Sequence, residues 1–178
     1  HLIGLFREME RQGELTLRII EQCQIYREDF DRFQSVRSDP SDRDSLFRTG
    51  PRKLLQDGSL GARSAEMEGG YADAPDNFGI PIYTEEELFQ YIGAAHRTHM
   101  DVAVHTIGDL ALRKTCDAFE RAEKAYKWPD HRHGVVHAQI TTPALLRRMK
   151  ALGLQVFIQP IFIDADMKII AQRVGEAH

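Results

Sequence analysis

The sequence predicts an α/β fold built on a parallel sheet of about five strands with flanking helices. Three observations carry that reading. Apolar runs alternate with helical patterns along the chain. The apolar runs, such as "VAV" at 102–104 and "GVV" at 134–136, are continuous, as strands buried on both faces require. The runs also recur at the length of a strand–helix unit, about 30 residues. Ile19 to Lys53 spans 34 positions, His105 to His137 spans 32 and His137 to Gln159 spans 22. The 52 positions from Lys53 to His105 are the exception. The excess falls at 60–83, a stretch rich in Gly, Ala, Asp and Pro that reads as a long, function-bearing loop.

Each element has a local cause. Leu2, Leu5, Phe6 and Met9 share a helical face, and Gly13 suits the turn beyond it. "LTLRII" (15–20) reads as a strand. Residues 24–37 mix charges and are weakly helical, and "SDPSDRDS" (38–45) is a polar surface loop. "RKLLQDGS" (52–59) is a strand running into a turn. Thr84 and Glu87 form a capping box that opens a helix over 85–99, with Leu88, Ile92 and Ala95 inward. A strand at 102–105 follows, then a helix striped by Leu112, Cys116 and Phe119, then the apolar run 134–138. Thr142 and Pro143 start a helix bearing Leu145, Leu146, Met149 and Leu152, and Gly153 ends it. "LQVFIQP" (154–160) is the fifth strand, and 165–177 is helical. No repeat and no internal boundary divides residues 1–178.

Composition narrows the partners. The 23 basic and 27 acidic residues are interspersed and give a net charge of −4, with no basic face for nucleic acid or an anionic membrane. No apolar run reaches the length of a membrane span, and no signal peptide is visible. Cys23 and Cys116 read as buried free thiols of a reducing compartment, the cytoplasm. The chain begins at His1, already inside an amphipathic pattern, and is expected to be a piece of something longer, truncated at both ends.

In parallel α/β folds the working groups gather at the carboxyl ends of the strands. Here those positions hold Lys53 and Asp57, His105 and Asp109, His137 and Gln139, and Gln159. Two successive strands thus present a histidine at matching height. Neighbouring strands lie about 4.8 Å apart, so the two imidazoles can grip one metal ion. Against this, a single strand histidine is more often a hydrogen-bonded core residue, and Lys53 beside Arg52 could be a solvated strand residue. His96 and His99 read as solvated groups at a helix end, and His131 and His133 as members of a polar loop. The terminal His1 and His178 complete the set. A P-loop, a nucleophile elbow, a Cys-x-x-Cys pair and a Rossmann glycine fingerprint are all missing, which disfavours a nucleotide-binding module.

The stretches "KLLQDGSLGARSAEM", "YADAPDNFG", "VAVHTIGDLAL", "HGVVHAQ" and "GLQVFIQPIFIDAD" occur in this order. Together they resemble the amidohydrolase superfamily, in particular the YtcJ-like group (amidohydrolase family 3) that includes N-substituted formamide deformylases and AepA-type proteins. The resemblance runs from about Gly13 to the end of the chain. It implies a partial (β/α)8 TIM barrel and a divalent metal centre, usually zinc, hydrolysing amide-like C–N bonds of a small molecule. It further implies that Lys53 is a carbamylated metal bridge and that His105 and His137 bind metal, with water acidified at the metal as nucleophile. Asp57 and Asp109 are expected to organise turns and cap helices. This sequence departs from the pattern in four places. The His-x-His pair of the first strand and the aspartate of the eighth are absent, Val136 replaces a glutamate, and Phe162 stands where many relatives carry histidine.

Two expectations follow. The parent protein is a hydrolase, whereas the chain alone is a non-catalytic barrel fragment. Its open sheet edges favour pairing with a second copy.

Overall fold

The computed structural model describes residues 2–24 and 44–175. Most of the weakly helical segment 24–37 and most of the loop 38–45, together with His1 and His178, lie outside the described residues. The described elements are, in order, α1 (Leu2–Arg11), β1 (Ile19–Glu21), β2 (Phe47–Thr49), β3 (Arg52–Leu55), α2 (Glu85–Arg97), β4 (Val102–Thr106), α3 (Asp109–Ala125), β5 (Gly134–His137), α4 (Pro143–Ala151), β6 (Gln155–Phe157), α5 (Phe162–Asp166) and α6 (Ile170–Val174).

Every strand pair is parallel, as the continuous apolar runs predict. The count is six described strands rather than five. The extra one, β2, is only three residues long and breaks its pattern with Arg48, so periodicity does not reveal it. β1 pairs with β2, and β3-β4-β5-β6 form a second sheet in sequence order. A bridge between Gln24 and Lys53 joins the two. The described strands do not close a barrel.

Alternation along the four-stranded sheet assigns its two faces. Leu54, Val102, Val104 and Val135 have no exposed surface. They pack under α2, α3 and α4 with Leu88, Ile92, Leu112, Cys116, Phe119, Leu145 and Met149. Both cysteines are buried and free. The opposite face carries two rows in register: Lys53, Ala103, Gly134 and Gln155, then Leu55, His105, Val136 and Phe157. These rows correspond to the stacked inner layers of a parallel barrel.

Helix starts follow the sequence closely. Thr84 Oγ1 accepts from the Glu87 N–H at 3.2 Å, and the Glu87 carboxylate accepts from the Thr84 N–H at 2.9 Å, completing the capping box. Thr142 caps α4 in the same way, accepting from the Leu145 N–H, with Pro143 in the first turn. The tail differs from a single helix over 165–177, forming instead the two short helices α5 and α6. Arg173 pairs with Asp73, which Arg63 also holds, and so fastens α6 onto the long loop.

His96 and His133 depart from the expectation of solvated positions. Each is 1% exposed, because His96 faces inward from the last turn of α2 and His133 sits beneath the start of β5. Thr84→Ala should cost about 1 kcal/mol, lowering the melting midpoint by a few degrees in calorimetry. An unchanged midpoint would show the cap to be energetically idle.

Candidate metal centre

The site grows out of β3, β4 and β5. His105 is the penultimate residue of β4 and faces inward. Its Nε2 lies 2.8 Å from the Gly58 carbonyl oxygen and 3.5 Å from Asp57 Oδ1. A carbonyl only accepts, so Nε2 carries the proton and Nδ1 keeps its lone pair. Orienting a ligand imidazole through its other ring nitrogen is the usual arrangement around a metal.

His137 reaches the same place by a different route. It pairs in register with Thr106, whereas His105 pairs with Val136, so strict alternation would point His137 towards the helices. Its backbone instead adopts φ +73°, and Ala138 follows at +49°. Two successive non-glycine residues in the left-handed region are costly. They are held by the Ala138 N–H on the Thr106 carbonyl at 3.0 Å and the Ile140 N–H on the Ile107 carbonyl at 2.9 Å. The His137 ring meets His105 edge-on with centroids 4.6 Å apart, and Phe162 of α5 stacks on it at 5.6 Å. Buried Nδ1 of His137 has no hydrogen-bond partner among the described residues. Burial, then the electrostatic influence of His105 and Lys53, lowers this imidazole to about 4.

Lys53 is the second residue of β3, not its last, and lies in register with Ala103, two positions below His105. A four-carbon side chain suits that rise of about 6–7 Å. Burial lowers its amine to about 8. Both His105 and Lys53 act electrostatically on His137.

Asp57 and Asp109 organise the surrounding turns, in the roles the sequence suggests. Asp57 is 2% exposed and accepts from the N–H groups of Ile107 (3.0 Å), Gly108 (2.8 Å) and Glu66 (3.0 Å). Burial nevertheless raises its carboxyl group above the ordinary carboxylate range. Asp109 Oδ1 accepts from the Glu68 and Leu110 N–H groups, both at 2.9 Å. Gly108 is required by close approach, since a Cβ there would lie 2.0 Å from the Glu66 carbonyl oxygen. That oxygen accepts from Leu110 and Ala111 at the start of α3. The Glu66 side chain pairs with Lys114 at 2.5 Å and takes a longer bond from Gln56 at 3.4 Å. Glu66 escapes sequence reasoning because nothing in "RSAEMEGG" marks it as buried.

Gln139 and Gln159 stand beside His137 on a cavity of about 310 Å³ that Ile158, Phe162, Ile163 and Met167 also line. Gln139 Nε2 donates to Asp166 across it. Among the described residues, no group of three His, Cys, Asp or Glu side chains is arranged to hold a metal ion.

Asp57→Asn replaces an acceptor-only group by one whose amide must face backbone donors. The expected loss is about 2–4 kcal/mol in urea unfolding, from one or two buried N–H groups left unpaired. A loss below about 0.5 kcal/mol would show that the turn does not depend on the carboxylate.

Comparison with known proteins agrees with this architecture. The profile of the amidohydrolase family matches residues 2–178. The putative amidohydrolase YtcJ of Bacillus subtilis (strain 168) is 33% identical over 128 residues, covering 71% of this chain and 23% of that protein. The protein LONG AFTER FAR-RED 3 of Arabidopsis thaliana is 32% identical over 123 residues, or 69% of this chain and 21% of that one. An uncharacterized metal-dependent hydrolase from Pyrococcus furiosus superposes with a TM-score of 0.82 at 34% identity, covering 99% of this chain and 35% of the other. The chain thus spans about a fifth to a third of the relatives it matches. It belongs to the amidohydrolase family.

Proposed function

We propose that the protein of which this chain forms part of the barrel is a metal-dependent hydrolase that cleaves amide-like C–N bonds of a small molecule. Lys53, His105 and His137 are the residues that would hold the ion, for which zinc is our choice. The observation that carries this reading is the buried Nδ1 of His137, unpartnered beside a second imidazole whose Nδ1 is also free of the Gly58 anchor. Neutral imidazole nitrogens of this kind suit zinc. Burial of Lys53 favours the neutral amine, the form that adds carbon dioxide to become an anionic, two-oxygen ligand.

When bound, the metal supplies acidity to a water and polarises the scissile carbonyl. The chain's own groups do the rest. Gly58 and Asp57 fix the His105 ring, and Phe162 fixes that of His137. The cavity beside His137 gives the substrate room, with Gln139 and Gln159 as polar contacts and an apolar wall from α5. A second copy of the chain covering the open sheet edges belongs to the same reading.

Titration calorimetry of the chain with zinc chloride, with bicarbonate present, tests it. The expected result is stoichiometric binding, weakened at least a hundredfold by His105→Ala or by His137→Ala, as loss of a direct ligand should do. Lys53→Ala should remove the carbamate signal from labelled bicarbonate in NMR. Binding indifferent to both histidines would overturn the assignment.

A further inference from the structure

A second histidine cluster lies at the opposite end of the same strands. His96 Nδ1 and His133 Nε2 are 2.9 Å apart, and both rings are buried. The two ends of this pair are fixed by the main chain. The Val102 N–H donates to His133 Nδ1 at 3.0 Å, and His96 Nε2 lies 2.6 Å from the Tyr126 carbonyl oxygen. A backbone N–H only donates and a carbonyl only accepts. His133 Nδ1 must therefore be bare and its Nε2 protonated, donating to His96 Nδ1. His96 in turn carries its proton on Nε2 and donates to Tyr126. The chain of bonds runs one way and requires both rings neutral. A further proton can enter only at a nitrogen that already accepts a hydrogen bond, which leaves two donors facing each other.

We propose that the His96–His133 pair is an acid-sensitive latch, and that acidification below about pH 6 progressively favours release of the Tyr126–His133 segment from α2 and from the amino ends of β4 and β5. The groups facing the pair come from every neighbouring element. Glu123 of α3 approaches His96 Nε2 at 3.4 Å, and Asp101 approaches His133 Nδ1 at 3.8 Å. His131 stacks on His133 with centroids 4.6 Å apart, Phe119 stacks on it at 5.0 Å, and Trp128 lies edge-on to both rings. His99 packs on Trp128 and Tyr126, and Arg132 donates its N–H to Asp101. Burial, then the electrostatic influence of His131 and His96, lowers His133 to about 2.

His133 in the latched state has a value below the ordinary 6.5, so the open state binds more protons. The latch is intact above 6.5 and weakens progressively as pH falls from there towards 2. Each pH unit below 6.5 raises the open population up to about tenfold through His133 alone. The strands it ties are those that carry His105 and His137 at their far ends.

The test is NMR of the metal-free chain from pH 7.5 to 4.5. Nitrogen shifts should show both rings as neutral Nε2–H tautomers at the upper limit. Exchange at the Val102 amide, corrected for its intrinsic pH dependence, should lose protection on acidification by at least tenfold more than Val104 or Val135 in the sheet. His96→Gln should flatten that pH dependence. His133 titrating near 6.5 with Val102 still protected would overturn the latch. So would parallel loss of protection throughout the sheet, which is global unfolding. The wild-type readout stands even if the variant fails to fold.

Discussion

One carboxylate holds the working end of this molecule in shape. Asp57 leaves β3 and accepts hydrogen bonds from the turn after β4 and from the long loop at Glu66. Three backbone donors converge on a buried negative group, and charge-assisted bonds of this kind are the strong ones. The same residue lies within 3.5 Å of His105, so the loop, the start of α3 and the imidazole are set by a single side chain. Gly108 completes the arrangement because no side chain fits between the turn and the Glu66 backbone. "DGS" and "IGD" are therefore two halves of one clasp.

The imidazole pair depends on a second constraint, which works against intrinsic preference. Strand alternation sends His137 to the wrong face, and a left-handed turn at its own backbone brings it back beside His105. Strain of this sort persists only where the surroundings over-determine it. Here the ladder bonds from Ala138 and Ile140 and the stack on Phe162 supply that support. The result is an imidazole pair with centroids 4.6 Å apart, one member of which, His137, also lines the cavity.

The molecule divides its histidines by environment. At the carboxyl ends of the strands, His105 and His137 each have a ring nitrogen without a partner among the described residues, which suits ligation. At the amino ends, His96 and His133 spend every ring nitrogen on each other and on the backbone, which suits holding the frame. This matches the general division in parallel barrels between a catalytic face and a stabilising one.

By itself the sequence determined the parallel α/β order, the capped starts of α2 and α4, the buried thiols, the turn-forming roles of Asp57 and Asp109 and the family. These depend on local pattern and on short motifs, which are written in neighbouring residues. It did not determine β2, too short and too charged to show a period, or the division of the tail into α5 and α6. Only the tertiary structure decided that Lys53 lies two positions below His105, that His137 turns back across its strand, and that His96 and His133 are buried together. Each of those depends on the register between strands or on residues dozens of positions apart, and neither is encoded in the local run that holds the histidine.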